Sequence, residues 1–230
     1  NVGFNNLVAK GGVGSVSGTS GSVRYLRPAN ISELDFRMGT LTIDTDSATI
    51  THSNGSVAFG EITDEFYQDE NGAYWPFSVC KFEFTRIRLG GSLVVRLIGK
   101  NALHLEAHSG DARIGSNLRV NGESHNGDLG GKAIMGGFGG VAAGELSGNG
   151  PGSPKNSSSA GHGAAYGGHG TGEAKTYGNA SVSSLLGGSS GGSSSFEGSG
   201  AGGGAISIKA SGEIIIDPYV LISANVCGNQ

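Results

Sequence analysis

No stretch of this 230-residue chain is apolar for long. Runs such as Ile214-Ile-Ile216 and Leu93-Val-Val95 stop far short of the roughly 20 residues a membrane helix needs, so membrane insertion is not expected. Charge is scarce as well, at 15% of residues with a net of −4, which points away from nucleic acid and from anionic membrane surfaces. Helix-period patterns are almost missing. Only Ile31 to Met38, opened by Asn30 and carrying Ser32, Glu33 and Asp35, is expected to make a short helical turn. There is no Gly-x-x-x-x-Gly-Lys-Ser/Thr, and no Gly-x-Gly-x-x-Gly between a strand and a helix, which excludes the usual phosphate loops. No Ser-His-Asp or Cys-His arrangement stands out, and the spacings of known calcium and zinc sites are absent. No cofactor or metal is expected, and the chain does not read as an enzyme.

Glycine is abundant instead, at 45 residues, with much serine beside it. A passage is also written twice. Ala102-Leu-His-Leu-Glu-Ala107 returns as Ala205-Ile-Ser-Ile-Lys-Ala210, and the match runs on to Gly122 and Ala224 once His108 is deleted. Leu103 then meets Ile206, Leu105 meets Ile208, Gly110 meets Gly212, Asp111 meets Glu213 and Ile114 meets Ile216. The same alignment sets Leu118 against Val220 and Val120 against Ile222. Self-similarity of this kind marks stacked repeat architectures.

Period-two alternation of β-branched residues fills much of 23–60. Leu41 and Ile43, then Ala48 and Ile50, then Val57 and Phe59 share faces, with a tight turn expected at Ser53-Asn-Gly55. Residues 61–79 are acidic and then aromatic, and read as an excursion loop. Beyond Cys80 the alternation slips by one between Phe84 and Ile87, the mark of a bulge or corner. Glycine-containing breaks then divide 80–122 into short segments suited to the faces of a parallel β-solenoid, and also to an antiparallel β-sandwich. Small Ala107 and Ala210, each soon followed by Ser-Gly, favour the solenoid.

Residues 123–204 carry 27 glycines without a collagen period. A flexible linker is one reading. Large apolar residues spaced through it, among them Ile134, Phe138, Val141, Tyr166, Tyr177, Leu186 and Phe196, favour order, with extended or polyproline-II-like segments packed through their glycines. The chain thus divides into 1–122 with solenoid-like strands, a glycine-rich insertion at 123–204, and a second repeat copy at 205–230, all in one elongated all-β domain.

Gly202-Gly-Gly-Ala-Ile-Ser-Ile-Lys-Ala-Ser-Gly-Glu-Ile-Ile-Ile216 followed by Ile222-Ser-Ala-Asn225 resembles the rungs of secreted glycine-rich right-handed β-helix proteins. The resemblance covers about residues 92–122 and 187–225. It implies an extended scaffold of the kind found in extracellular surface and matrix proteins and in bacterial adhesins. It carries over no catalytic residue, and the 82 residues between the two copies depart from simple stacking.

The remaining candidates are local. Cys80 and Cys227 could form a disulfide, stay as buried thiols, or pair with another subunit; a secreted chain favours the disulfide. Asn30, Asn54, Asn156 and Asn179 head glycosylation sequons. Tyr74 and Trp75, beside Asp64, Glu65, Asp69 and Glu70, could stack on a glycan or simply cover the end of the stack. His162 and His169, with His125, could bind a metal, although packing within glycine-rich layers is the simpler role. Asp111 and Glu213 hold equivalent repeat positions, where paired carboxylates would suit polysaccharide cleavage and exposed turn residues would be ordinary.

The chain starts at Asn1 and breaks off within the second copy, as a processed or fragmentary protein would. The expected function is an extracellular, self-assembling structural subunit, polymerising head to tail into a filament, fibre or surface coat. An adhesin or glycan-binding module that contacts glycans or other matrix proteins is the alternative, and a polysaccharide-active enzyme the second alternative.

Overall fold

The computed structural model describes residues 31–145, 147–154, 164, 174–178 and 184–225. Alternation dominates the first part. Strands β1 (Glu33–Asp44), β2 (Thr49–His52) and β3 (Val57–Phe59) follow one another, β1 and β2 pairing antiparallel so that Ile43 faces Ile50. Gly55 turns the β2–β3 hairpin at φ +92°, a conformation natural to glycine. The helical turn expected over 31–38 is absent because Leu34, Leu41 and Ile43 bury on one side of β1; period-two burial overrides the local Asn/Ser/Asp signal.

Residues 61–79 are likewise strand rather than loop. β4 (Glu61–Gln68) and β5 (Tyr74–Phe84) form a long antiparallel hairpin, from Glu61 opposite Lys81 to Gln68 opposite Tyr74. β6 (Arg86–Ile98) follows after a corner at Thr85, where the alternation slips; Thr85 N–H and Oγ1–H both donate to Ser32 O, at 2.7 and 2.8 Å. β7 (Ala102–Ala107), β8 (Ala112–Ile114) and β9 (Leu118–Arg119) make up the first repeat copy. The second is β10 (Ile206–Ala210), β11 (Ile214–Ile216) and β12 (Ile222–Ser223).

These strands form two mixed sheets, in the orders β11-β8-β6-β1-β2-β3 and β10-β7-β5-β4, and one parallel pair, β12-β9. β6 runs parallel to both β1 and β8, β7 to both β5 and β10, and β11 and β12 to β8 and β9. So many parallel pairings rule out the all-antiparallel sandwich. Among the described residues the fold is all-β without a helix, and the three sheets do not close into a complete solenoid.

The second copy lies directly on the first. Ile206 to Ala210 pair with Leu103 to Ala107, and Ile214 to Ile216 with Ala112 to Ile114, so the one-residue gap falls near His108 as the alignment requires. The last segment shifts. Leu118 pairs with Ile222, not Val220, because Asp217-Pro218-Tyr219 makes a turn in which Tyr219 has φ +67° and is fully exposed.

Polar side chains tie the corners across this interface. Asp111 Oδ1 accepts from Glu213 N–H at 2.9 Å, Asn117 Oδ1 from Leu221 N–H at 2.7 Å, and Asn121 Oδ1 from Asn225 N–H at 2.9 Å. Inside run Leu34, Leu41, Ile43, Ile50, Phe82, Phe84, Ile87, Leu89, Leu103, Leu105, Ile114 and Leu118, one continuous core.

Of 123–204, the described residues include no strand; the one bridge joins Asn126 and Leu129. Their backbones instead cross-bond in pairs: Gly131 N–H to Ser199 O, Ser199 N–H to Val141 O, Phe138 N–H to Gly188 O, and Gly202 N–H to Phe138 O, at 2.9 to 3.0 Å. Two glycines show why this composition is used. A Cβ at Gly202 would run into the Gly188 carbonyl, and one at Gly140 into the Ser199 carbonyl. This region packs on the outer face of the β5–β7–β10 sheet, where Tyr177 and Leu186 join Phe77, Val79 and Ala102 in a second apolar cluster.

Candidate functional site

The second repeat copy is the last strand of every sheet it belongs to. Among the described residues nothing pairs with the far edges of β10, β11 and β12. In the first copy, the inward residues Leu103, Leu105, Ile114 and Leu118 are fully buried. Their counterparts are not: Ile206 and Ile208 are half-buried and Ile216 is 53% exposed, while Ile214, opposite the buried Ala112, is 49% exposed. Leu221 and Ile222 are also exposed. The result is an apolar face beside an unpaired row of backbone N–H and C=O groups, which a further strand layer would satisfy.

The β4–β5 hairpin offers a second surface, and it separates the two proposed glycan contacts. Trp75 pairs across the hairpin with Tyr67 and turns inward, its ring edge-to-face with Phe138 at 6.1 Å between centroids and its Nε1–H donating to Asp69 Oδ2 at 3.1 Å. Tyr67 approaches Tyr177 at 6.1 Å on the same side. Tyr74 points the other way, its ring edge-to-face with Phe66 at 5.4 Å. Both are about two-thirds exposed (63% and 66%), and Ile62 is exposed beside them. Strand alternation places Ile62, Phe66, Tyr74 and Pro76 on one face. Phe66 and Ile62 were not singled out from the sequence, although the period-two spacing of Ile62, Asp64 and Phe66 carries the signal.

The acidic residues here serve the hairpin. Asp69 Oδ1 accepts from Asn71 and Ala73 N–H, both at 2.9 Å, and Asp64 Oδ1 accepts from Ser78 Oγ–H at 2.7 Å. Among the described residues no group of three or more His, Cys, Asp or Glu side chains is placed to hold a metal ion. His125 Nε2 stands 3.9 Å from Glu197 Oε2, while His162 and His169 lie outside the described residues. Asp111 and Glu213 meet through a corner tie, Asp111 Oδ1 accepting from the Glu213 backbone N–H.

A charged ladder crosses the outer face of β5, β7 and β10. Glu106 Oε2 lies 2.7 Å from Lys81 Nζ and its Oε1 lies 3.0 Å from Lys209 Nζ, while Lys81 Nζ also reaches Glu83 Oε1 at 2.6 Å. Hydrogen bonds from Lys81 and then Lys209 hold the Glu106 carboxyl down at about 2. Bonds to Glu106 and then Glu83 raise Lys81. His104 Nε2 sits 3.6 Å from Glu106 Oε2, yet burial first and Lys81 second lower its pKa and favour the neutral ring. Lys81, Glu106 and Lys209 thus clamp three neighbouring strands of one sheet, Lys209 lying opposite Glu106 and Lys81 reaching it from the position opposite His104.

Cys80 is buried between Ile62 and Leu103, and burial, then Asp44 and Asp46, push its thiol up to about 12. Among the described residues there is no disulfide; Cys227 lies outside them, so the expected pairing is not described. Of the sequons, Asn54 is exposed in the β2–β3 turn, its Oδ1 accepting from Ser56 N–H at 2.9 Å. Asn30, Asn156 and Asn179 lie outside the described residues. No helix among the described residues is long and apolar enough to cross a membrane. Compared with protein-family models, with curated proteins and with solved structures, the chain finds no match in any of the three.

Proposed function

We propose that this chain is an extracellular structural protein, a glycine-rich β-solenoid subunit that self-assembles into a filament, fibre or surface coat. In this reading each repeat copy is a solenoid rung, and the glycine-rich insertion is a bundle of extended, polyproline-II-like segments docked on the flank. The carrying observation is the last rung. It stacks in parallel on an almost equivalent one and leaves its own inward isoleucines open. Such a surface is an aggregation hazard unless association is its purpose. Electron microscopy of the purified chain at physiological salt tests this: particles longer than one chain, with a constant axial repeat, support it. Dispersed single-chain particles up to the highest attainable concentration overturn it.

The exposed Phe66–Tyr74 face supports a second reading, an adhesin that stacks aromatic rings on a glycan. Glycan-array binding that is lost in Tyr74→Ala and kept in the wild type would favour it.

A further inference from the structure

The repeat itself indicates what the open face is built to receive. Inside the chain, the layer that covers β7, β8 and β9 is a second version of the same motif, laid on in register and tied at the corners by Asp111, Asn117 and Asn121. The matching partner for β10, β11 and β12 is therefore another layer of that motif. A second copy of this chain carries the motif twice. Its first version is already covered on both sides in two of its three strands, β7 by β5 and β10 and β8 by β6 and β11. Among the described residues the β10–β12 layer is the one whose strands all have an open edge, so that layer in each copy is where two copies can stack motif on motif.

The opposite end differs. There the sheets finish in antiparallel strands, the β2–β3 hairpin and β4, and β4 exposes Glu61, Asp64 and Glu65 along its length. Exposed charge on an edge strand discourages a further strand from pairing with it.

Resting on the self-assembly reading above, we infer that two copies of this chain join tail to tail, β11 lying antiparallel to β11 of the other copy about a two-fold axis near Ile215. An isologous contact of this kind requires a patch that tolerates itself, and Ile214-Ile215-Ile216 brings no charge to its centre. The flanks are acidic. Asp217 is paired with Arg113, whose Nε lies 2.9 Å from Oδ1, while Glu213 approaches Asp217 of the other copy, so association strengthens modestly as salt screens the pair. This contact is closed, and a longer filament would need a second one elsewhere.

The test uses the full chain carrying Cys227→Ser and Ile215→Cys, treated with a short bis-maleimide; the Cys227→Ser chain alone is the blank, Cys80 being buried and poorly ionised. A covalent dimer joined through the introduced thiol, and no larger covalent product, formed within particles of at least twice the chain mass, is the expected result. Association without a crosslink through the introduced thiol overturns the tail-to-tail contact and leaves self-assembly standing. Particles of single-chain mass at every concentration overturn both. Ile215→Lys, at a position already one-third exposed (36%), keeps the fold by circular dichroism and weakens association at least about tenfold. Undiminished association of that variant likewise overturns the contact.

Discussion

The β7–β9 and β10–β12 layers carry the same apolar pattern in two places, and they differ in what lies above them. Leu105 and Ile208 occupy one register position; the first is fully buried and the second only half so. Ile114 and Ile216 repeat the contrast more sharply, at 0% and 53% exposure. Equivalent side chains thus have very different energetic weight, because apolar stabilisation follows the surface removed from water rather than the residue type. Among the described residues β7 and β8 have strand neighbours on both sides, and β10 and β11 on one.

That contrast can be broken by experiment, and core truncation is the largest lever. Leu105→Ala should cost about 3 kcal/mol and Ile208→Ala nearer about 1 kcal/mol, read by chemical denaturation of the unassembled chain. Equal costs would mean that the outer layer is covered in solution. Glycine substitutions come next. Gly202→Ala should lose about 2 kcal/mol as its methyl meets the Gly188 carbonyl, whereas Gly91→Ala, with only Gly115 O nearby at 3.4 Å, should be close to neutral.

Removing a corner tie should have a smaller effect. Asn117→Ala leaves the Leu221 N–H without its acceptor and should cost about 1 kcal/mol, seen as faster amide exchange confined to the outer layer. The smallest effect concerns the ladder. Glu106 is held at about 2 against an ordinary 4.5, so the stability it lends is complete above pH 4.5 and fades as the pH falls toward 2. Glu106→Gln should cost about 1 kcal/mol at neutral pH and flatten that acid limb in a melting-temperature profile.

The alternation of Leu41 and Ile43, the Asn54-Gly55 turn, the corner between Phe84 and Ile87 and the pairing of the two copies were legible without coordinates, since each depends on residues close together or on repeated text. The misread stretches are those where a distant partner outweighs local character. Residues 61–68 look like a solvated loop, yet they make a strand because β5 pairs with them along their whole length. The stretch around Ser32 and Asp35 carries helix-start residues, yet β6 holds it extended. The missing gap at Asp217-Pro218-Tyr219 was invisible because shifting Val220 for Ile222 leaves the apolar pattern intact.

Functional surfaces divide in the same way. Tyr74 and Trp75 are adjacent in sequence and stand out for the same aromatic chemistry, but strand alternation sends one to solvent and the other against Phe138. Nothing in Ile214-Ile-Ile216 distinguishes an open edge from a buried core strand.

The sequence by itself determined the all-β character, the repeat and the glycine content, because period, self-similarity and the absence of side chains are properties of the text. Only the tertiary structure decided which copy of the repeat is covered and which is open. Burial depends on where in the stack a layer lies, and of two layers with the same apolar pattern one lies outside the other.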